Sequence, residues 1–410
     1  GESNEPRPGK ESTTGDPGGV DRGRNRSLSR DPGEVVQRGD AVGKKRVLGA
    51  EAYERTESRR GYRNGFKGKR IQTRVGELHL EIPQVRGLRF YPKSLERGCR
   101  SEKALKLAIA EMYVMGVSTR KVTEITEQLC GLEISATQVS RVAGMLDEEL
   151  EEFRSRELGE YPIVYLDAHY EKVRRGGRVQ DVAILKAIGV NRFGTREVLG
   201  LSARISEAEV HWRGFLGDLH KRGLRGVELF VSDDHEGLKA ARRAVDPSVP
   251  WNRCQFHLSK NAQQYARRKE DKPRIAQAMR DIFDAPSRED AEELRGKVVK
   301  KFEKIAPEFV SWLEDTVDEG LTVFDFPRSW WRRIRTINGL ERLHREIRRR
   351  TRVVGIFPHE TSALRLISAV LAEIHEEWLT GRQYLNLAGW KKQVEQFFPT
   401  GQGNDRKTVA

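Results

Sequence analysis

Polar residues dominate the first 48 positions, and no aromatic residue precedes Tyr53. A stretch this poor in large apolar groups cannot offset its ordering entropy, so residues 1–48 are expected to be a disordered tail, as are residues 401–410. Alternation begins at Arg70. The runs Arg70–Val75 and Glu77–Ile82 flank Gly76 and predict a β-hairpin. The preceding segment from Gly61 to Lys69 is basic and Gly-punctuated, and reads as a loop suited to phosphate contact or simply solvated.

Beyond residue 101 the period becomes helical. Leu105, Ile109, Met112 and Tyr113 form one stripe, which Gly116 breaks. Ser118 is placed to cap a second helix with Val122, Ile125 and Leu129 inward, closed by Cys130-Gly131. Ser135 is placed to cap a third with Val139, Val142 and Leu146 inward. Three short helices with tight turns fit a helix-turn-helix module, with Thr137, Gln138 and Arg141 facing outward. An ordinary three-helix bundle has the same pattern. Leu146–Arg156 reads as an acidic linker.

The middle of the chain reads differently. Tyr161–Leu166 predicts an apolar strand ending at Asp167. Val182–Val190 and Glu197–Ile205 predict two more, joined by connections short enough for an antiparallel meander. A helix over 206–220, a strand over 226–231, a helix over 236–245 and a strand over 251–256 follow. This is the element order of a ribonuclease-H-like sheet, although other α/β orders share the periodicity. Residues 263–327 read as amphipathic helix. A long helix is expected from Trp330 to about Thr351, and another through Leu364–Ile374. Trp312, Trp330 and Trp331 read as core residues, with stacking on an exposed base as the alternative role.

Charge narrows the partners. Lys and Arg number 75 against 61 Asp and Glu, a formal net charge of +14 with pI ≈ 9.7. That excess points to a polyanion, most simply nucleic acid, of which double-stranded DNA is one form. No run approaches the ~18 apolar residues of a membrane span. Three cysteines without paired spacing predict a reducing compartment, and the absence of an n-region and h-region predicts a cytoplasmic protein. A length of 410 residues allows two or three domains.

Candidate chemistry lies at strand ends. Asp167 and Asp233 close two strands that would be neighbours in such a sheet. Converging carboxylates repel unless a cation lies between them, and hard oxygen ligands in an open site suit Mg²⁺ or Mn²⁺. Two such ions about 3.5–4 Å apart would activate a water or hydroxyl and stabilise the leaving oxygen of a phosphodiester. Singly, each Asp is more commonly a strand-end turn or helix-cap residue, and Asp234 is such a candidate. The third carboxylate is Glu341. On a continuous helix it borders the stripe of Ile337, Leu340, His344 and Ile347, beside Asn338, Arg345 and Arg348. Glu346 points elsewhere on that helix. Between Arg328 and Arg352 stand ten arginines and two acids, a density expected of a helix that tracks phosphates.

These stretches carry a family resemblance. Leu166-Asp167-Ala168-His169-Tyr170-Glu171-Lys172-Val173-Arg174, Ser232-Asp233-Asp234-His235-Glu236-Gly237-Leu238, Cys254-Gln255-Phe256-His257 and Asn338-Gly339-Leu340-Glu341-Arg342 resemble the signatures of Mutator-type bacterial insertion-sequence transposases. So do Gly200-Leu201, Trp212–Leu216 and Arg222–Leu224. The likeness spans roughly residues 50–395. It departs at Gly339, where a bulkier residue is commoner, and in the polar N-terminal tail.

The resemblance implies a DDE transposase whose ribonuclease-H-like domain carries an all-helical insertion between the second Asp and the Glu. It places the triad on Asp167, Asp233 and Glu341, with two Mg²⁺ (or Mn²⁺) ions per site. It places a Cys-x-x-His element on Cys254 and His257. Taken alone, that pair is half a zinc site with no second half, so packing beside the active site is the simpler role, and a direct catalytic role for His257 is the alternative. Asn338 joins them as active-site support. Expected DNA-binding residues are Arg63, Lys67, Lys69, Arg70, Thr137, Gln138, Arg141, Arg345, Arg348, Arg349 and Arg352.

The implied organisation is a tail (1–48), an N-terminal DNA-binding region (49–155), a catalytic domain in two parts (156–262 and 328–400) around a helical insertion (263–327), and a second tail. The implied activity is recognition of terminal inverted repeats, cleavage of the element ends, and joining of 3′-hydroxyls to target DNA by a homodimer or larger assembly. A DNA-binding protein that has lost the reaction, and a metal-dependent nuclease that cuts without joining, are the alternatives.

Overall fold

A computed structural model describes residues 47–50, 54–88, 90–92, 95 and 101–387, with the side chain of Glu341 outside that set. Apart from Val47 and Leu48, the two expected tails lie outside the described residues, as does Cys99. Backbone contacts divide the chain into two compact units, Gly1–Gln72 with Glu77–Arg100, and Thr73–Gly76 with Ser101–Ala410.

In the first unit, β1 (Tyr62–Thr73) and β2 (Gly76–Arg86) form the expected hairpin, turning at Arg74-Val75. The basic segment is therefore strand, not loop, from Tyr62 onward. Its glycines and exposed side chains hid the period, and Ile71, Leu80 and Ile82 supply the small core.

In the second unit, α1 (Lys103–Val114), α2 (Thr119–Cys130) and α3 (Ala136–Ala143) begin and end at the expected signals. The Ser118 hydroxyl accepts from Lys121 N, Gly131 adopts φ 63°, and Ser135 forms a reciprocal capping box with Gln138. Leu129, expected inward, is 77% exposed, because α2 turns Val122 and Thr126 to the core instead. The acidic linker is helical, α4 (Asp147–Ser155).

The sheet follows: β3 (Ile163–Arg175), β4 (Arg178–Val190), β5 (Arg196–Arg204), then α5 (Glu209–Lys221), β6 (Leu229–Ser232), α6 (Glu236–Val245) and β7 (Trp251–Arg253). The strand order is β5-β4-β3-β6-β7, with the first three antiparallel and β6 and β7 parallel to β3. Period-two alternation sorts the side chains. Val164, Leu166, Leu185 and Phe230 face α5 and α6, where Trp212 and Phe215 pack. Tyr165, Ile184, Ile188 and Val231 face the opposite core, which holds Leu366, Ile367 and Val370 of the C-terminal helix α13 (Glu360–Thr380). Residues of α1, α2 and α3 belong to that same core.

After β7, α7 (Gln255–Ala262) leads into α8 (Asp271–Phe283), α9 (Arg288–Phe302) and α10 (Pro307–Thr316), which bury a separate cluster including Met279, Phe302 and Phe309. Trp312 stacks on Tyr265 there, Trp331 meets Phe324 edge-on, and Trp330 is buried, so all three tryptophans pack within the protein.

The single long helix expected from Trp330 is broken. It forms α11 (Arg328–Ile334), a short turn over Asn338–Leu340, and α12 (Glu341–Val354). Backbone groups of the intervening residues serve α7 instead of a helix. Arg335 O accepts from Gln255 N at 2.9 Å, and Ile337 N donates to Cys254 Sγ at 3.4 Å. Glu341 is thus the first residue of its helix rather than a mid-helix position.

Candidate active site and basic cleft

Asp167 is not a strand terminus, since β3 continues eight residues beyond it. Its parallel pairing with β6 nevertheless ends at Tyr165–Val231, two residues earlier. The sheet parts at that point, and Asp233, just past the end of β6, borders the same opening. Both aspartates line one cleft of about 780 Å³. The other walls are Phe256 and His257 from α7, Ile337 and Asn338 from the break, and His344, Arg345, Glu346, Arg348, Arg349 and Arg352 from α12.

Asp167 is held by two cationic or potentially cationic groups. Lys186 is its direct cross-strand partner on β4 and brings Nζ to 2.8 Å from Oδ2. His344 Nε2 approaches the same oxygen at 2.7 Å. Lys186 Nζ also lies 2.9 Å from His169 Nδ1 and 2.8 Å from His344 Nε2. The His344 nitrogen can donate to Asp167 or accept from Lys186, but not both at once. Burial alone would raise the Asp167 carboxyl, yet Lys186 and His344 outweigh it and hold the group below the usual carboxylate range. Burial, with the Lys186 charge beside it, pushes His169 down to about 4. Burial likewise lowers Lys186, which is only 1% exposed, although Asp167 opposes the shift.

Asp233 sits in a different environment. Its side chain is 46% exposed; Oδ1 accepts from Asp234 N at 2.7 Å, and His257 Nδ1 lies 3.6 Å from Oδ2 without hydrogen-bond geometry. The adjacent Asp234 faces away from the cleft. It pairs with Lys239 and Arg253 at 2.7 Å each, and Glu319 completes the cluster at 2.9 and 2.8 Å from the same two cations. Asp234 caps no helix, because His235 holds the cap position of α6. Both aspartates lie beyond the end of β6, where strand alternation no longer assigns faces, and their tertiary partners separate them.

Glu341 opens α12, but its side chain lies outside the described residues. Among the described residues no three His, Cys, Asp or Glu side chains gather into a metal site. Cys254 is fully buried at the start of α7, where it accepts from Ile337 N, and burial raises its thiol. Cys254 packs against the break before α12, while His257 reaches the cleft.

The arginine-rich run divides by partner. Arg345, Arg348, Arg349 and Arg352 line the cleft. Arg350 is buried against Glu373, while Arg335 and Arg342 pair with Asp284 and Glu377. Glu346, expected to point elsewhere, lines the cleft and pairs with Arg349 at 3.0 Å. On α3, Thr137, Gln138 and Arg141 are exposed, but the Gln138 amide oxygen is committed to the capping box. On β1, Arg63, Lys67 and Arg70 are exposed, while Lys69 donates to the Tyr91 hydroxyl.

Sequence reasoning missed Lys186 and His169 as site residues, and placed His344 only in a packing stripe. One signal was available. Lys186 is a lone charge inside Val182–Val190, on the face that Ile184 and Ile188 give to the core.

A family model described as "Transposase, Mutator family" matches residues 35–381. The transposase for insertion sequence element IS406 of Burkholderia multivorans is 53% identical over 354 residues, covering 86% of this chain and 91% of that protein. The transposase for ISRM5 of Rhizobium meliloti is 44% identical, covering 83% and 86%. The transposase for IS256 in transposon Tn4001 of Staphylococcus aureus is 38% identical, covering 82% and 87%.

Proposed function

This chain belongs to the Mutator family of transposases, and from that premise we propose that it cleaves the ends of its own insertion sequence and joins them to target DNA. The observation that carries the reading is the shared cleft: Asp167 and Asp233 line one side, and four arginines of α12 line the other. Strand order supports a ribonuclease-H-like sheet, with three antiparallel strands followed by two parallel ones on the β3 side.

Asp167, Asp233 and Glu341 would hold Mg²⁺ or Mn²⁺. The donor set fits, because all three offer hard carboxylate oxygens and Asp167 and Asp233 border one cleft. Bound there, two such ions supply activation of the attacking oxygen and stabilisation of the leaving one. The protein's own groups do the rest. Arg345, Arg348, Arg349 and Arg352 bind backbone phosphates and orient the strand. Lys186 and His344 keep Asp167 ionised. The exposed face of α3 and the basic edge of β1 offer surfaces for terminal inverted repeats. Bringing two element ends together calls for a dimer or larger assembly on DNA.

The test is an assay of end cleavage and joining on labelled element-end DNA with Mg²⁺. Asp167→Asn, Asp233→Asn and Glu341→Gln should each abolish both steps while end binding persists. Full cleavage and joining by any one of them removes that residue from the site. Cleavage without joining by the wild-type chain would make the protein a nuclease instead.

A further inference from the structure

Phe256 is 46% exposed, yet it stands on the first turn of α7, between buried neighbours. Cys254 before it and Leu258 after it are fully buried. Gln255, 3% exposed, donates through Nε2 to Gly320 O at 2.8 Å. These neighbours point into the protein, so helical geometry turns Phe256 outward at a fixed position. Its ring meets His257 edge-on, with centroids 5.3 Å apart and planes at 70°. His257 Nδ1 in turn lies 3.6 Å from Asp233 Oδ2. One side chain therefore separates the phenyl ring from the second catalytic carboxylate.

Single exposed apolar side chains are ordinary on protein surfaces. Phe193 is one, 64% exposed with the Arg192 guanidinium over its ring. Phe256 differs in its setting. It is the only Phe, Tyr or Trp among the described residues lining a cleft otherwise rich in charge. Arginines on one wall and an aromatic ring on another are what a nucleotide strand needs, with phosphates held by guanidinium groups and a base face by a ring.

We propose that Phe256 is a stacking platform for one unpaired nucleobase beside the phosphate that is cut. A paired base inside a duplex has both faces covered by its neighbours, so the ligand is a base frayed or extruded at the element end. Phe offers no hydrogen bond, so the subsite accepts any base. This inference rests on the reading that the cleft takes element-end DNA.

The test is a double-mutant cycle between protein and DNA, using the full chain. Element-end duplexes carry an abasic site at each position flanking the cut in turn. Binding and cleavage are measured for wild type, Phe256→Ala, Phe256→Leu and Phe256→Trp. At one position, removing the base should weaken wild-type binding about 5- to 150-fold. Phe256→Ala should lose a similar factor on intact DNA and nothing further on that abasic DNA. Phe256→Trp should retain the effect. Phe256→Leu should lose it, which separates stacking from apolar bulk.

If Phe256→Ala binds and cleaves within twofold of wild type, or its loss multiplies with that of every abasic site, the proposal fails. Asp233→Asn in the same assay keeps the two readings apart. Loss of cleavage there with a normal Phe256→Ala removes only the base subsite. Normal cleavage by Asp233→Asn removes the assignment of the cleft itself.

Discussion

Lys186 holds its ammonium 2.8 Å from the Asp167 carboxylate, directly across the β3–β4 ladder, with only 1% of the lysine exposed. A buried charge pair is costly to break from one side, because the remaining charge loses its compensation. Lys186→Met should therefore lower unfolding stability by about 3 kcal/mol in urea denaturation without metal or DNA. Asp167→Asn added to it should recover much of that loss. A double variant as unstable as the sum of the singles would show that the two side chains do not act as a pair.

Asp233 and Asp234 are neighbours with opposite expected phenotypes. Asp233→Asn removes a half-exposed carboxylate without a close ion pair, so stability should change by no more than about 0.5 kcal/mol while end cleavage is lost. Asp234→Asn takes a carboxylate from Arg253, which is 2% exposed, and should cost about 1–3 kcal/mol. Calorimetry beside a cleavage assay separates them, and the reverse pattern would exchange their roles.

The cleft arginines should appear in the salt dependence of DNA binding. Each phosphate contact contributes about 0.9 to the slope of log affinity against log salt on duplex DNA. Arg348→Gln with Arg352→Gln should lower the slope by about 1.8. Arg342→Gln, whose guanidinium already pairs with Glu377, should leave it nearly unchanged. Equal slopes for both proteins would detach α12 from the DNA backbone.

His375 supplies a pH dependence away from the cleft. Burial, with Arg156 adding to it and Glu197 opposing, pushes its imidazole down to about 4. The neutral ring packs against Phe153 and accepts from Val198 N at 3.3 Å. Its folded value lies below the unfolded value near 6.5, so the unfolded chain takes up the proton first. The stabilisation is complete above pH 6.5 and fades toward pH 4, at up to about 1.4 kcal/mol per pH unit. His375→Asn should flatten the acid side of a stability–pH curve by about one proton. An unchanged slope would mean that the ring is already protonated in the fold.

Local chemistry was legible wherever it acts over a few residues. Ser118, Gly131 and Ser135 mark helix ends because a cap satisfies backbone groups within its own turn. The strands around Asp167 were legible because their apolar runs are bounded by turns. The helix through Glu341 was misjudged for the converse reason. Residues Arg335–Ile337 have helical character in sequence, but Cys254 and Gln255, some eighty positions earlier, take their backbone hydrogen bonds. A pattern read along one segment cannot register a competitor from elsewhere.

The sequence by itself determined most of the element types, the basic balance, Asp167 and the Asp233-Asp234 pair as candidates near the ends of apolar strands, and the family resemblance. All of these follow from residue type and short-range spacing. Tertiary structure alone decided which of Asp233 and Asp234 faces the cleft, which arginines remain there, and that Lys186 and His344 close on Asp167. Those outcomes depend on which buried charges find partners. Compensation for a buried charge comes from groups brought together by packing, across separations along the chain that no local period encodes.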